Sequence, residues 1–158
     1  PELVILDEPT VAVDAQSRKF ILDGIKNLAE NGSSILYTTH YLDEAEYLCN
    51  KISIMDNGKN ILTGDMQTLI NGVSVKEKIT VVGFIKPEII SILEKQDEVI
   101  DVEAKENQVT FNYSSDTGNI KKLIYLLDEN NVVYEEIFSK KPKLEDIFLE
   151  MTGKELRE

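Results

Sequence analysis

The chain has 158 residues, a hydrophobic fraction of 42% and a formal net charge of -12 at pH 7. These values predict one or two small domains with packed cores, and the longest apolar runs are too short to cross a bilayer. The negative charge is spread along the chain, which predicts a solvated acidic surface. It argues against nucleic acid or an anionic membrane surface as the main partner of this part of the protein. Cys49 is the only cysteine, which excludes an internal disulfide and favours a reducing cytosol.

The first predicted strand ends in two adjacent acids. Residues Leu3 to Leu6 are all apolar, a pattern that predicts a short strand buried on both faces. Asp7 and Glu8 follow directly, and Pro9 stops the strand. Ligands of open α/β sheets bind at the carboxyl ends of strands. There one acid can hold Mg²⁺ through water while the next orients or deprotonates an attacking water. The alternative is that both acids only cap a turn.

A second predicted strand, residues 34–39, leads to His40, the only histidine of the chain. The pattern between the two strands predicts a helix, so the three elements form a βαβ unit. Its strands should be parallel, with their carboxyl ends on the same edge of the sheet. We therefore expect Asp7, Glu8 and His40 to converge. A lone histidine is more often structural, but this convergence favours a catalytic role for His40.

The segment between the two strands predicts a capped helix. Asp14 is placed to cap its start, and Asn31-Gly32 is typical of its end. Its predicted apolar face consists of Phe20, Ile21, Ile25 and Leu28.

A second helix is predicted to begin near Tyr41. Acids that favour the positive N-terminal end of a helix follow, at Asp43, Glu44 and Glu46. The predicted buried stripe is Leu42, Ala45 and Leu48. Next, Asn57-Gly58 between the runs 51–55 and 60–63 predicts a hairpin with a type I′ turn. A short helix, 66–70, then leads to Asn71-Gly72, the predicted boundary between a domain of residues 1–72 and one of residues 76–158.

The rest of the chain predicts a small mixed domain. Strands are predicted at 78–84, 99–105, 109–113 and 132–139, and helices at 87–95 and 119–130. The resulting order, βαββαβ, predicts a ferredoxin-like sheet covered by two helices. A last helix has an apolar stripe of Leu144, Ile147, Phe148 and Met151. Packing within its own domain is the simpler interpretation of that stripe, and docking on a partner chain is the alternative.

The order of these motifs resembles that of ATP-binding-cassette (ABC) ATPases. Residues 3–10 resemble the Walker B strand with its acid pair, 10–14 the D-loop, and 37–40 the strand that carries the switch histidine. Residues 41–65 are similar to the family's sequence after that histidine. Residues 144–153 resemble the tail of ATPase subunits from multidrug- and polymer-export systems. The resemblance covers most of the chain, and the ordered set is much more specific than an acid pair alone.

This resemblance implies a fold and a function. The implied fold is α/β, with the C-terminal half of a P-loop NTPase (RecA-like) core in residues 1–72 and a small ferredoxin-like α+β accessory or regulatory domain after it. The implied function is part of the ATP-hydrolysing subunit of an ABC exporter. Such a subunit uses ATP and Mg²⁺, pairs with a second ATPase subunit as a homodimer or with a different one, and couples hydrolysis to transport through a membrane-spanning permease. It would be cytoplasmic and peripheral on the inner face of the cell membrane.

The resemblance also implies roles for single residues. Asp7 would hold Mg²⁺, through water, and Glu8 would polarise the hydrolytic water. His40 would contact the γ-phosphate and sense its loss. Asp14 would communicate across the dimer with the other active site.

The sequence departs from the family pattern in three places. It contains no G-x-x-x-x-G-K-[ST] loop, since Lys59 and Lys154 follow a glycine but lack the remaining residues of the motif. The LSGGQ signature is also missing. In the D-loop, Ala12 and Ala15 replace a usual glycine and proline, and alanine tolerates positive φ poorly. We therefore interpret the chain as the C-terminal part of a longer subunit and expect it not to bind ATP usefully alone.

Two other interpretations stay open. The parent protein could be a soluble ABC-type protein not involved in transport, or the chain could be a non-catalytic interaction or regulatory module. A further expectation concerns the family's phosphate-loop strand, which lies between the strand ending at His40 and the strand 51–55. Without it, the edges of these strands lack partners. We expect distortion, non-native pairing or association with a second copy, with Asp7, Glu8 and His40 poorly arranged.

Overall fold

The computed structural model describes residues 2–153. Pro1 and residues 154–158, which include Lys154 and the end of the second predicted domain, lie outside this range. The chain divides into two compact units, Pro1–Gln67 and Thr68–Glu158. The division falls inside a short helix, close to the predicted boundary at Asn71-Gly72. Each unit is described by itself.

The first unit contains two small sheets. Its elements are β1 (Leu3–Asp7), α1 (Ala15–Glu30), β2 (Ser34–Thr38), α2 (Leu42–Leu48), β3 (Ile52–Asp56) and β4 (Lys59–Gly64). As predicted, β1 and β2 are parallel, in a continuous register from Leu3 opposite Ser34 to Asp7 opposite Thr38. β3 and β4 form the predicted hairpin, and both turn residues, Asn57 and Gly58, have positive φ.

The prediction that β1 is buried on both faces is wrong. Leu3 and Ile5 are 60% and 64% exposed, and Val4 and Leu6 are half-buried. Within the described residues the sheet has only two strands, and the face that carries Leu3 and Ile5 is exposed. The predicted apolar face of α1 is also only partly buried: Ile25 is buried, Ile21 is half-buried, and Phe20 and Leu28 are exposed.

The distortion expected around a missing central strand is absent from β2, while the β3–β4 pairing has one register irregularity, between Ile54 and Met55. The register of β1 and β2 is regular, and within residues 2–153 β2 pairs only with β1 and β3 only with β4. No non-native pairing replaces the expected neighbour in this part of the chain. Association with a second copy stays a prediction.

The second unit has one antiparallel sheet. Its elements are β5 (Glu77–Val82), α4 (Pro87–Leu93), β6 (Val99–Lys105), β7 (Gln108–Tyr113), α5 (Asn119–Glu129), β8 (Glu136–Lys140) and α6 (Leu144–Thr152). The predicted order of elements is confirmed, although the last strand begins at Glu136 and not at Val132. The strand order is β6-β7-β5-β8. The core is formed by Ile79, Val81, Ile85, Leu93, Val109, Phe111, Tyr113, Leu123 and Leu127.

Hydrogen bonds follow the first helix of the second unit, and buried side chains lie on its last described helix. The short helix α3 (Met66–Asn71) ends where the Lys76 ammonium donates to the carbonyls of Ile70, Asn71 and Val73, a favourable charge at a helix C-terminus. In α6, Leu144 and Ile147 are fully buried. This burial favours packing within the chain as the interpretation of the α6 stripe.

Candidate active site

The carboxyl ends of β1 and β2 bring two of the predicted site residues next to each other. Glu8 follows β1 directly, and its N–H donates to the Thr38 carbonyl over 3.0 Å, which extends the strand pairing by one residue. His40 lies two residues beyond the end of β2. His40 Nδ1 is 2.8 Å from Glu8 Oε2. Glu8 Oε2 is buried. Apart from the contact with His40, it accepts no hydrogen bond from the described part of the chain.

Asp7 lies beside this pair at the end of β1. One of its carboxylate oxygens, Oδ1, accepts a hydrogen bond from the Thr38 hydroxyl, and Oδ2 accepts none from the described residues. Asp7 is exposed, so Oδ2 is open to a hard cation or to a water molecule of its hydration shell. Magnesium prefers oxygen ligands and keeps several waters, so one carboxylate fits such an ion. Within residues 2–153 no group of three or more His, Cys, Asp or Glu side chains forms an all-protein metal site.

Asp14 has a different position and a clear local function. Its Oδ1 accepts hydrogen bonds from Gln16 N and Ser17 N, each over 3.0 Å, which caps α1 as predicted. Hydrogen bonds from the side chain and backbone of Ser17 lower the pKa of the Asp14 carboxyl, which is exposed. The structure therefore does not bring Asp14 into contact with Glu8 or His40, and its role across a dimer stays a prediction.

The loop between β1 and α1 is tightly turned. Val11 N donates to the Glu8 carbonyl and Val13 N to the Thr10 carbonyl. Glu8 and Ala12 have positive φ values of 46° and 61°. This conformation brings Cβ close to the backbone and costs about 1–2 kcal/mol for residues other than glycine. Ala12 therefore takes the left-handed conformation at the position where the resemblance places a glycine.

The sequence did not predict the buried carboxylate of Glu44 behind the site. Glu44 lies in the first turn of α2, as predicted, but it is only 1% exposed. Its Oε1 accepts from Thr10 Oγ1 and Arg18 Nε, both over 2.6 Å, and its Oε2 accepts from Tyr37 OH over 2.7 Å and from Thr39 Oγ1 over 3.0 Å. Helical spacing gives the signal that could have found it, because position 44 lies on the same face as residues 41, 45 and 48.

The network keeps Glu44 ionised. Burial acts to raise the pKa of the Glu44 carboxyl, but hydrogen bonds from Thr10, Tyr37, Arg18 and Thr39 lower it below its usual value. Burial, together with the hydrogen bond to Glu44, raises the pKa of Tyr37 to about 12. Tyr37 is therefore a hydrogen-bond donor at neutral pH, and the negative charge of Glu44 is balanced by the Arg18 guanidinium.

Two further sequence predictions concern properties outside the site. Cys49 is half-buried just after α2, and burial raises the pKa of its thiol, which favours a structural over a reactive role. In residues 2–153 no helix combines the length and the apolar character that crossing a membrane requires.

Comparison with known proteins identifies relatives along the whole chain. It is 35% identical over 164 residues to the linearmycin resistance ATP-binding protein LnrL of Bacillus subtilis (strain 168), covering 100% of this chain and 52% of the relative. It is 32% identical over 158 residues to the Nod factor export ATP-binding protein I of Rhizobium meliloti (strain 1021), covering 100% of this chain and 45% of the relative. The protein of the same name from Sinorhizobium fredii is 30% identical, with 44% of its length covered. No protein-family model matches the chain.

These relatives are ABC transporter ATP-binding proteins, and the chain is homologous to them over its full length. The expected resemblance is thereby confirmed. The chain spans about half the length of the curated relatives it matches, which agrees with its interpretation as part of a longer subunit.

Proposed function

We propose that the chain is part of the ATP-hydrolysing subunit of an ABC exporter. The observation that carries this proposal is the convergence of the Asp7–Glu8 pair and His40 at the carboxyl ends of two parallel strands, with His40 Nδ1 2.8 Å from Glu8 Oε2. Relatives whose names describe ATP-binding proteins of Nod factor export and of linearmycin resistance support the same function.

In this proposal each site residue has a role that its surroundings allow. Glu8 orients and polarises the attacking water, as a carboxylate at the end of a strand can do. Asp7 holds Mg²⁺ through water, with Oδ1 fixed by Thr38. His40, whose side chain is about half exposed, is accessible to the terminal phosphate of ATP. Bound Mg²⁺ would neutralise charge on the phosphates.

The finer architecture belongs to the same proposal. Residues 1–72 would be the C-terminal half of a P-loop NTPase core, and residues 76–158 a ferredoxin-like accessory domain. The order βαββαβ and the strand order β6-β7-β5-β8, with all neighbours antiparallel, support the second assignment.

The partners of the complete subunit are a membrane-spanning permease and a second ATPase subunit, with Asp14 acting between the two ATPase subunits. The subunit would then be cytoplasmic and peripheral on the inner face of the cell membrane. Affinity purification of the complete subunit from solubilised membranes tests this assignment. Recovery of a stoichiometric multi-spanning subunit and ATP hydrolysis by the complex are expected. A complex that hydrolyses ATP but contains no membrane subunit would favour the alternative of an ABC-type protein without a transport function.

A further inference from the structure

The Glu44 carboxylate connects the two chain segments that present Glu8 and His40. Thr10, two residues after Glu8, donates to Oε1 over 2.6 Å, and Thr39, directly before His40, donates to Oε2 over 3.0 Å. The Thr39 hydroxyl also accepts from the backbone N–H of Tyr41 over 2.9 Å. The backbone on both sides of His40 is therefore tied through Thr39 to the carboxylate.

The remaining acceptor capacity of Glu44 is used by two other elements. Arg18 of α1 donates to Oε1 over 2.6 Å, and Tyr37 of β2 donates to Oε2 over 2.7 Å. Each oxygen thus accepts two hydrogen bonds, and only an acceptor-only group satisfies all four donors. A glutamine has nearly the same shape, but its NH₂ group would face two donors.

The backbone conformation of Glu8 requires hydrogen bonds on both sides that hold it in place. Its φ of 46° lies in the left-handed region, and a residue other than glycine stays there only when its surroundings hold it. The hydrogen bond from Glu8 N to the Thr38 carbonyl holds one side. The hydrogen bond from Thr10 to Glu44 holds the loop on the other side.

From these contacts we propose that Glu44 is a positioning residue for the candidate active site, acting through Thr10 and Thr39 on the placement of Glu8 and His40. Glu44 does not touch substrate in this proposal. The inference rests on the function proposed above, because it needs ATP hydrolysis at Glu8.

The test uses the complete ATPase subunit with four single substitutions, and with Thr10→Val also combined with Glu8→Gln. Glu44→Gln removes the acceptor for two donors, and Thr10→Val removes one hydroxyl with little change of shape. Thr10→Ser keeps that hydroxyl and removes only the methyl group. Asp43→Asn is the matched control, because Asp43 also pairs with Arg18, over 3.1 Å, but is exposed and contacts neither threonine. For each variant we would measure the affinity for ATP, turnover per ATP-binding site, and the melting temperature.

A positioning role predicts a loss of turnover without a loss of binding. Glu44→Gln and Thr10→Val should lower turnover per site by about tenfold or more, since small misplacement of a catalytic group is costly, while the affinity for ATP changes by less than about twofold. Thr10→Ser and Asp43→Asn should stay within about twofold of wild type in both quantities. In a Glu8→Gln background, Thr10→Val should cause no further loss, because residues that act through one group are not additive.

Three outcomes would overturn this role: unchanged turnover in Thr10→Val, an equal loss in Asp43→Asn, or a parallel loss of turnover and ATP affinity that follows the melting temperature. If Glu44→Gln does not fold, Thr10→Val and Thr10→Ser still decide the question. A wild-type complete subunit without ATP hydrolysis would contradict the proposed function, not the positioning role alone.

Discussion

Thr38 is the register partner of Asp7 across the parallel strands β1 and β2, and its hydroxyl donates to the Asp7 carboxylate. This pair aligns the carboxyl ends of the two strands. Glu8 and His40 follow from these ends and approach each other to 2.8 Å. The arrangement of the candidate site is therefore a direct consequence of the strand register.

Replacing Ala12 by glycine should stabilise the protein. Ala12 has φ 61°, so glycine removes a steric cost of about 1–2 kcal/mol from the folded state. Glycine also raises the conformational entropy of the unfolded chain, which lowers the free energy of unfolding by about 0.4–1 kcal/mol. The expected net gain is up to about 1.6 kcal/mol in the free energy of unfolding, measured by urea denaturation. Ala29→Gly within α1 is the control, and it should destabilise by up to about 1 kcal/mol. Equal destabilisation by both substitutions would contradict the strain at Ala12.

The contribution of Glu44 to stability should depend on pH. Because the folded-state pKa of Glu44 is lowered from 4.5, the unfolded chain binds the proton more readily. The stabilisation is thus fully present above about pH 4.5 and is lost as pH falls through the folded-state pKa. At neutral pH, Glu44→Gln should lower the free energy of unfolding by about 3 kcal/mol, as expected for breaking a buried ion pair.

Urea unfolding of wild type and Glu44→Gln at neutral and acidic pH measures this difference. It should shrink as the pH falls below 4.5. Asp43→Asn, at an exposed carboxylate, should cost less than about 1 kcal/mol at neutral pH. A Glu44→Gln effect that stays constant with pH would show that the charge of Glu44 is not the stabilising feature.

The sequence predicted the elements of this chain well and their burial less well. The parallel pairing of β1 and β2, the Asp14 cap and the Asn57-Gly58 hairpin are local consequences of residue pattern and turn chemistry. The exposure of Leu3 and Phe20 was not predictable, because burial depends on how many strands and layers surround an element.

The same distinction applies to the candidate site. The approach of Glu8 to His40 follows from the order of motifs along the chain. The role of Glu44 depends on donors that are distant in sequence: Thr10 is 34 residues away and Arg18 is 26 residues away. The sequence predicted only that Glu44 lies near the N-terminal end of a helix. Its burial depends on four donors that converge on the carboxylate.

The second unit should fold independently when it starts at Thr68. Leu69 and Val73 are buried, and Ser74 N donates to Glu150 in α6. A segment of residues 68–158 should therefore unfold cooperatively. It should be more stable than residues 76–158 by about 2 kcal/mol or more, the cost typical of removing buried apolar side chains.

Urea unfolding and amide NMR dispersion of the two segments test this prediction. Equal stability of the two segments would show that residues 68–75 do not belong to the folded unit. Absence of a cooperative transition in both would contradict the independence of the second domain.

In the proposed function Glu8 orients the water that attacks ATP. In the complete subunit, Glu8→Gln keeps the local shape but removes the carboxylate, so turnover should fall by about a hundredfold or more while ATP still binds. His40→Ala should lower turnover as well. Nearly unchanged turnover in His40→Ala would indicate that His40 has only a structural role.

The most direct measurement is therefore ATP hydrolysis per binding site by wild type and Glu8→Gln, together with equilibrium binding of ATP to both. If Glu8 orients the attacking water, Glu8→Gln should lose nearly all hydrolysis and keep its affinity for ATP. Wild-type turnover in Glu8→Gln would show that Glu8 does not have this role.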